Sequence, residues 1–138
     1  MMVTVMNVTK PVLAALVAAS LPVAGAAAPA TNGAALDPLV RTFATCTGRL
    51  SALMEHQWLM GLDGSEYTQK RRNQMATLLE AVMRPGTGPQ VLALRIEAKF
   101  ALAQLFSRMT FGRDAQDVAW AANRVEVELA ACDGLLLG

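Results

Sequence analysis

The side chains of this protein that could do chemistry are few, and they begin with its one histidine, His56. A lone imidazole can serve as an axial ligand to a noncovalently held haem, and Met109 is the second ligand that would complete such a pair. No Cys-x-x-Cys-His run offers covalent haem attachment. Zinc or copper asks for more donors than one His, two Cys and methionines at core spacing. Nucleophilic catalysis would bring Ser51 or Ser107 beside His56. Ser51, however, precedes His56 by five positions on one helix and points away from it, and no strand-turn-helix elbow exists to expose a serine. Glu126 and Glu128 could form a carboxylate pair, but a spacing of two turns them to nearly opposite sides of a helix, which reads as solvent exposure. Lys70, Arg71 and Arg72 could hold a phosphate or an anionic headgroup, although such a trio on an amphipathic helix is ordinarily its solvated face. With no catalytic set assembled, the expectation is a protein that is not an enzyme and carries no cofactor and no metal.

The densest run is Cys46-Thr-Gly-Arg-Leu-Ser-Ala-Leu-Met-Glu-His-Gln-Trp58. Glycine inside a helix costs about 1 kcal/mol relative to alanine, so Gly48 predicts close approach by another backbone or by a disulfide. His56, near the end of the same helix, is expected on the surface, where its charge would complement the helix dipole. This run resembles a segment of small exported alphaproteobacterial helical proteins that have no assigned function. The resemblance covers this one helix and implies no activity.

These residues need elements to position them. Asp37-Pro38 supplies an N-cap carboxylate and a first-turn proline. After it Leu39, Phe43, Cys46, Leu50, Leu53, Gln57 and Met60 recur at helical steps, predicting a helix over 38–61. Asp63 with Glu66 three positions on predicts a capping box and a second helix, with a stripe of Tyr67, Arg71, Met75, Leu78 and Val82. Arg84-Pro85 and the glycines after it end that helix. A third helix over about 89–110 carries Val91, Leu94, Ala98, Ala101 or Leu102, Leu105 and Met109 on one side. A second apolar line of Leu92, Ile96, Phe100 and Phe106 makes it wider than a surface helix needs, so it is either central or touches a partner. Asp114 caps a fourth helix bearing Val118, Ala122, Val125, Leu129 and Cys132, which stops at Gly134.

The compartment follows from the first thirty residues. Lys10 is their only charge, an apolar run covers Val12 to Leu21, and small residues offer cleavage after Ala26, Ala28 or Ala30. About ten apolar residues are too few to span a bilayer, which takes about twenty. The expected organisation is a cleaved signal over 1–28, a disordered lead-in over 29–36 and a helical domain over 37–138, located in the periplasm. Loss of Lys10 leaves eleven basic against eleven acidic residues, a balance that argues against nucleic-acid binding. An even cysteine count in an exported chain reads as a bond.

Four helices with short loops predict an all-α, up-down-up-down four-helix bundle. In that topology Cys46, in the third turn of the first helix, and Cys132, in the last turn of the fourth, share an end and face the core, so a disulfide between them is expected. The first two turns of helix one then overhang, and Leu135-Leu136-Leu137 is the expected cover for Leu39 and Phe43. The function expected is a periplasmic interaction or accessory protein, using Leu92, Ile96, Phe100 and Phe106 or the Trp58 and Trp120 region. Its partner would be another periplasmic protein or a second copy. The alternative is a small ligand- or haem-binding bundle.

Overall fold

The computed structural model describes residues 35–136. The signal expected over 1–28, nearly all of the lead-in, and Leu137 lie outside the described residues. Four helices account for the domain: α1 (Pro38–Leu59), α2 (Ser65–Val82), α3 (Gly88–Phe111) and α4 (Ala115–Asp133).

Local chemistry sets most of their ends. Asp37 Oδ1 accepts from the Leu39 amide at 2.8 Å, with Pro38 in the first turn behind it. At the other end of α1, Gly61 takes a φ of 64° and the Leu62 amide reaches back to the Gln57 carbonyl at 2.8 Å, the closing pattern of a glycine-terminated helix. Asp114 Oδ1 accepts from the Asp117 amide at 2.8 Å and starts α4 as expected. The capping box at α2 does not form. Gly64, at φ 97°, is the cap residue instead and no side chain caps the helix, because two left-handed glycines turn the chain so tightly that α2 starts immediately after them.

The rotation of α2 also departs from expectation. Thr68, Met75 and Leu79 are its buried residues, while Tyr67 and Leu78 are exposed. The Thr68 hydroxyl donates to Gln57 Oε1 of α1 at 2.7 Å, a bond that holds this face inward. Similarly, the buried hydroxyl of Thr47 donates to the Phe43 carbonyl one turn back at 2.8 Å, so a polar residue sits in the core without an unmet donor.

The helices pack on one another with α1 as their hub. α1 packs along α2 and α3 and touches α4, α4 packs chiefly on α3, and among the described residues no helix packing joins α2 to α3 or to α4. Small residues make this possible: Ala44, Thr47, Gly48 and Ala52 are all buried and let neighbours approach α1 from several sides. Gly48 is where α3 comes closest. A Cβ built there would fall well inside contact with the Arg95 carbonyl oxygen and 3.1 Å from the Ala98 methyl, so a neighbouring backbone, and not the disulfide, is what requires the glycine.

The core has two parts. Val40, Phe43, Leu50, Met75, Leu79 and Val91 gather around the cysteines, and Ala52, Leu102, Phe106 and Val125 form the second cluster. Cys46 and Cys132 are bonded, with alpha carbons 5.5 Å apart and 86 positions between them in sequence. A loop that long is worth about 4–5 kcal/mol on the chain-entropy account. Leu135 and Leu136 pack against the cluster that contains Phe43, as does Leu36 from the segment read as lead-in, whereas Leu39 remains 46% exposed. No described helix is long and apolar enough to cross a membrane.

Candidate functional site

Because α2 and α3 lie against α1 without packing on each other, one side of α1 is open between them. Gly48, Ser51, Met54 and Glu55 form its floor, Arg72 of α2 one wall, and Leu92, Arg95, Ile96 and Lys99 of α3 the other, enclosing about 220 Å³. Leu92, Ile96 and Phe100 recur every four residues along α3 and are 53%, 45% and 61% exposed. Their opposite flank is already committed to α4, so this line is surplus to the core. Trp58, 75% exposed, stands seven positions after Ser51 and therefore on the same side of α1 as the groove floor.

The groove is positively charged. Lys99 Nζ pairs with Glu55 Oε1 at 2.6 Å, but neither Arg72 nor Arg95 has a carboxylate partner among the described residues. Moreover, the Arg72 Nε is buried with no hydrogen-bond acceptor. An unmet donor of this kind costs about 1–3 kcal/mol. The Lys70, Arg71 and Arg72 trio is thus split three ways. Lys70 is exposed, Arg71 pairs with Asp133 at the end of α4 and leans over the Tyr67 ring, and Arg72 turns into the groove.

His56 sits at the far pole of the same flank. Its ring stacks on Phe106 with centroids 4.2 Å apart and planes 4° from parallel. The helix C-terminus would favour the imidazolium, yet burial outweighs it and holds the His56 pKa below the ordinary value of 6.5. The expected surface histidine is therefore a half-buried, preferentially neutral one. The stack also corrects Phe106, which is 4% exposed and belongs to the core instead of the outer line, because it lies ten positions after Ile96 and so rotates toward α1. His56 and Ser107 border one cleft of about 260 Å³ with Leu59, Met60 and Phe111, but no hydrogen bond joins them and Glu55 is engaged by Lys99. Met109 packs in the second core cluster and does not line that cleft, so His56 and Met109 do not converge on one open site. No group of three or more His, Cys, Asp or Glu residues able to hold a metal occurs among the described residues.

A second groove, of about 470 Å³, runs between α1, α3 and α4. Leu94, Ala98, Ala101 and Leu105 line it, with Trp120 and three arginines around them. Glu128 was expected to be solvent-exposed, yet its side chain is only 14% exposed because Arg49 and Arg124 both pair with it. Burial, and then the Arg124 guanidinium, lower the Arg49 pKa. Arg108 stands 5.9 Å from the Trp120 ring centroid and 3.8 Å from Asp117. Each cation here already has an acidic neighbour.

The structure thus brings Leu92, Ile96, Phe100 and Trp58 to one side of the molecule. It puts Trp120, 53% exposed, on the α4 side, and Phe106 inside. Sequence reasoning missed Arg95 and the separate role of Arg72. Their one available signal was two basic residues on helix flanks bordering apolar stripes, which is indistinguishable from ordinary solvation until the helices are placed. Compared with known proteins, the chain matches no family model, no curated protein and no solved structure.

Proposed function

We propose that this protein is an exported, noncatalytic interaction module of the periplasm, an accessory or adaptor protein that receives another protein on the open side between α2 and α3. The observation that carries the reading is the line of Leu92, Ile96 and Phe100, all exposed at four-residue spacing beside a groove that no described helix closes. Apolar residues aligned in this way mark contact surfaces more often than scattered ones do. The export signal over 1–28 and the oxidising compartment belong to the same reading, supported by the order of charge, apolar run and small residues and by the Cys46–Cys132 bond. Alternation of helix direction is part of it too. Gln57 late in α1 meets Thr68 early in α2, His56 late in α1 meets Phe106 late in α3, and Arg108 late in α3 approaches Asp117 early in α4.

The test is capture from native periplasm with the wild-type protein and an Ile96→Ser, Phe100→Ser variant, each checked for unchanged melting. Both positions are exposed, so the variant is expected to fold and to lose the partner. Undiminished capture by the variant would refute the face.

A second reading, a small-ligand-binding bundle, draws on the α1/α3/α4 groove with Trp120 and Arg108. Its haem form has little support, since His56 is stacked on Phe106 and Met109 lies outside the cleft. Absence of a Soret band on haem titration is expected.

A further inference from the structure

We infer that the α2/α3 groove seats an acidic amphipathic helix of the partner protein, its apolar stripe on Leu92, Ile96 and Phe100 and its carboxylates on Arg72 and Arg95. This rests on the interaction reading above and names the chemistry of what is bound.

Three cations, Arg72, Arg95 and Lys99, line the groove against one carboxylate, Glu55, and that carboxylate is taken by Lys99. Two guanidiniums are left without a countercharge among the described residues. The buried, unpartnered Nε of Arg72 gives independent support, because an unmet donor on a guanidinium that lines the groove gains from a carboxylate brought beside it. The apolar wall spans two helical turns, roughly 12 Å. A helix can match that length with residues at its own steps of three and four while flanking them with carboxylates, and it brings no unsatisfied backbone to the surface. The floor admits close approach at Ser51, which is small and part-exposed, whereas Gly48 beside it is taken up by the α3 backbone. The first 36 residues of this chain contain no Asp or Glu, so its own N-terminal segment cannot supply the carboxylates.

The experiment selects binders from a displayed library of random peptides on the purified, disulfide-bonded protein, then measures their affinities by fluorescence anisotropy. The expected peptides carry Leu, Ile or Phe at steps of three and four with flanking Asp or Glu. Their affinity falls about tenfold in Arg95→Gln and again in Arg72→Gln, and it weakens with added salt. Because Arg72 is half-buried, Arg95→Gln with unchanged melting carries the test even if the second variant folds poorly.

Selected peptides without acidic enrichment, no selected peptides at all, or affinities indifferent to both substitutions would overturn the inference. So would saturation of the same arginines by inorganic phosphate alone, which makes the occupant a free anion. A wild-type dimer in light scattering that Arg95→Gln dissolves would overturn it in favour of a second copy. If Ile96→Ser, Phe100→Ser abolishes native capture while the arginine variants do not, the interaction surface stands and only its acidic occupant is lost.

Discussion

Substituting Gly48 by alanine puts one methyl group where α1 and α3 are closest, and its consequence can be worked from the geometry. The added Cβ would lie well inside contact with the Arg95 carbonyl oxygen and 3.1 Å from the Ala98 Cβ. A carbonyl in the middle of a helix cannot swing aside as a flexible side chain would, so the helices must part by roughly 1 Å. A gap of that size forfeits about a quarter to a half of the dispersion energy of each pair it opens, along the most extensive interface of the domain. Overpacking of this kind costs about 1–3 kcal/mol, occasionally more, and replacing a helix-interior glycine returns about 1 kcal/mol. We take the upper part of the range because the obstacle is backbone, and expect a net loss of about 2 kcal/mol. For a domain of this size that lowers Tm by roughly 8–16 °C. Urea denaturation followed by circular dichroism, with calorimetry for Tm, measures both. Gly134→Ala is the control, since Gly134 has a φ of −60° and nothing within 4 Å of its would-be Cβ. That variant should be stabilised by about 0.4–1 kcal/mol. If Gly48→Ala were as stable as the control, helix propensity would outweigh contact and the account of the α1–α3 crossing would be wrong.

Other outcomes follow from the same geometry. Reducing Cys46–Cys132 removes about 4–5 kcal/mol from a total that for domains is about 5–15 kcal/mol, so Tm in excess reductant should fall by roughly 20 °C or more; an unchanged melt would mean that the loop adds little. His56 has a folded pKa below 6.5, so its contribution is fully present above pH 6.5. It declines as pH falls through that value, because the unfolded imidazole takes a proton while the folded one resists. A His56→Phe variant keeps an aromatic ring against Phe106 and should lose this slope as pH falls below the ordinary histidine value. Glu128→Gln leaves Arg49 and Arg124 without their shared carboxylate and should cost about 1–3 kcal/mol by urea denaturation, between the values for exposed and buried pairs; a neutral result would make the pairing incidental. Thr68→Val should cost about 1 kcal/mol through the lost bond to Gln57, unless the valine packs as well as the threonine bonds.

The all-α class, the four helices and most of their ends, though not the cap of α2, were legible because local rules govern them. Asp37-Pro38, Gly61, Arg84-Pro85 and Asp114 act through atoms within a turn of themselves, and apolar spacing along α1, α3 and α4 marks the buried face directly. The cysteine pair was legible for a similar reason: each lies on an apolar stripe, and short loops restrict which helix ends can meet. Only the tertiary structure could decide which helix is central, since that depends on Gly48 admitting the α3 backbone, and a glycine does not announce its neighbour. It also decided that Phe106 turns inward to stack on His56, that Glu128 is gripped by two arginines, and that Arg72 and Arg95 face each other across an open side of α1. Those facts concern residues from different helices, and their relation is set by packing angles and burial that no spacing along a single helix contains.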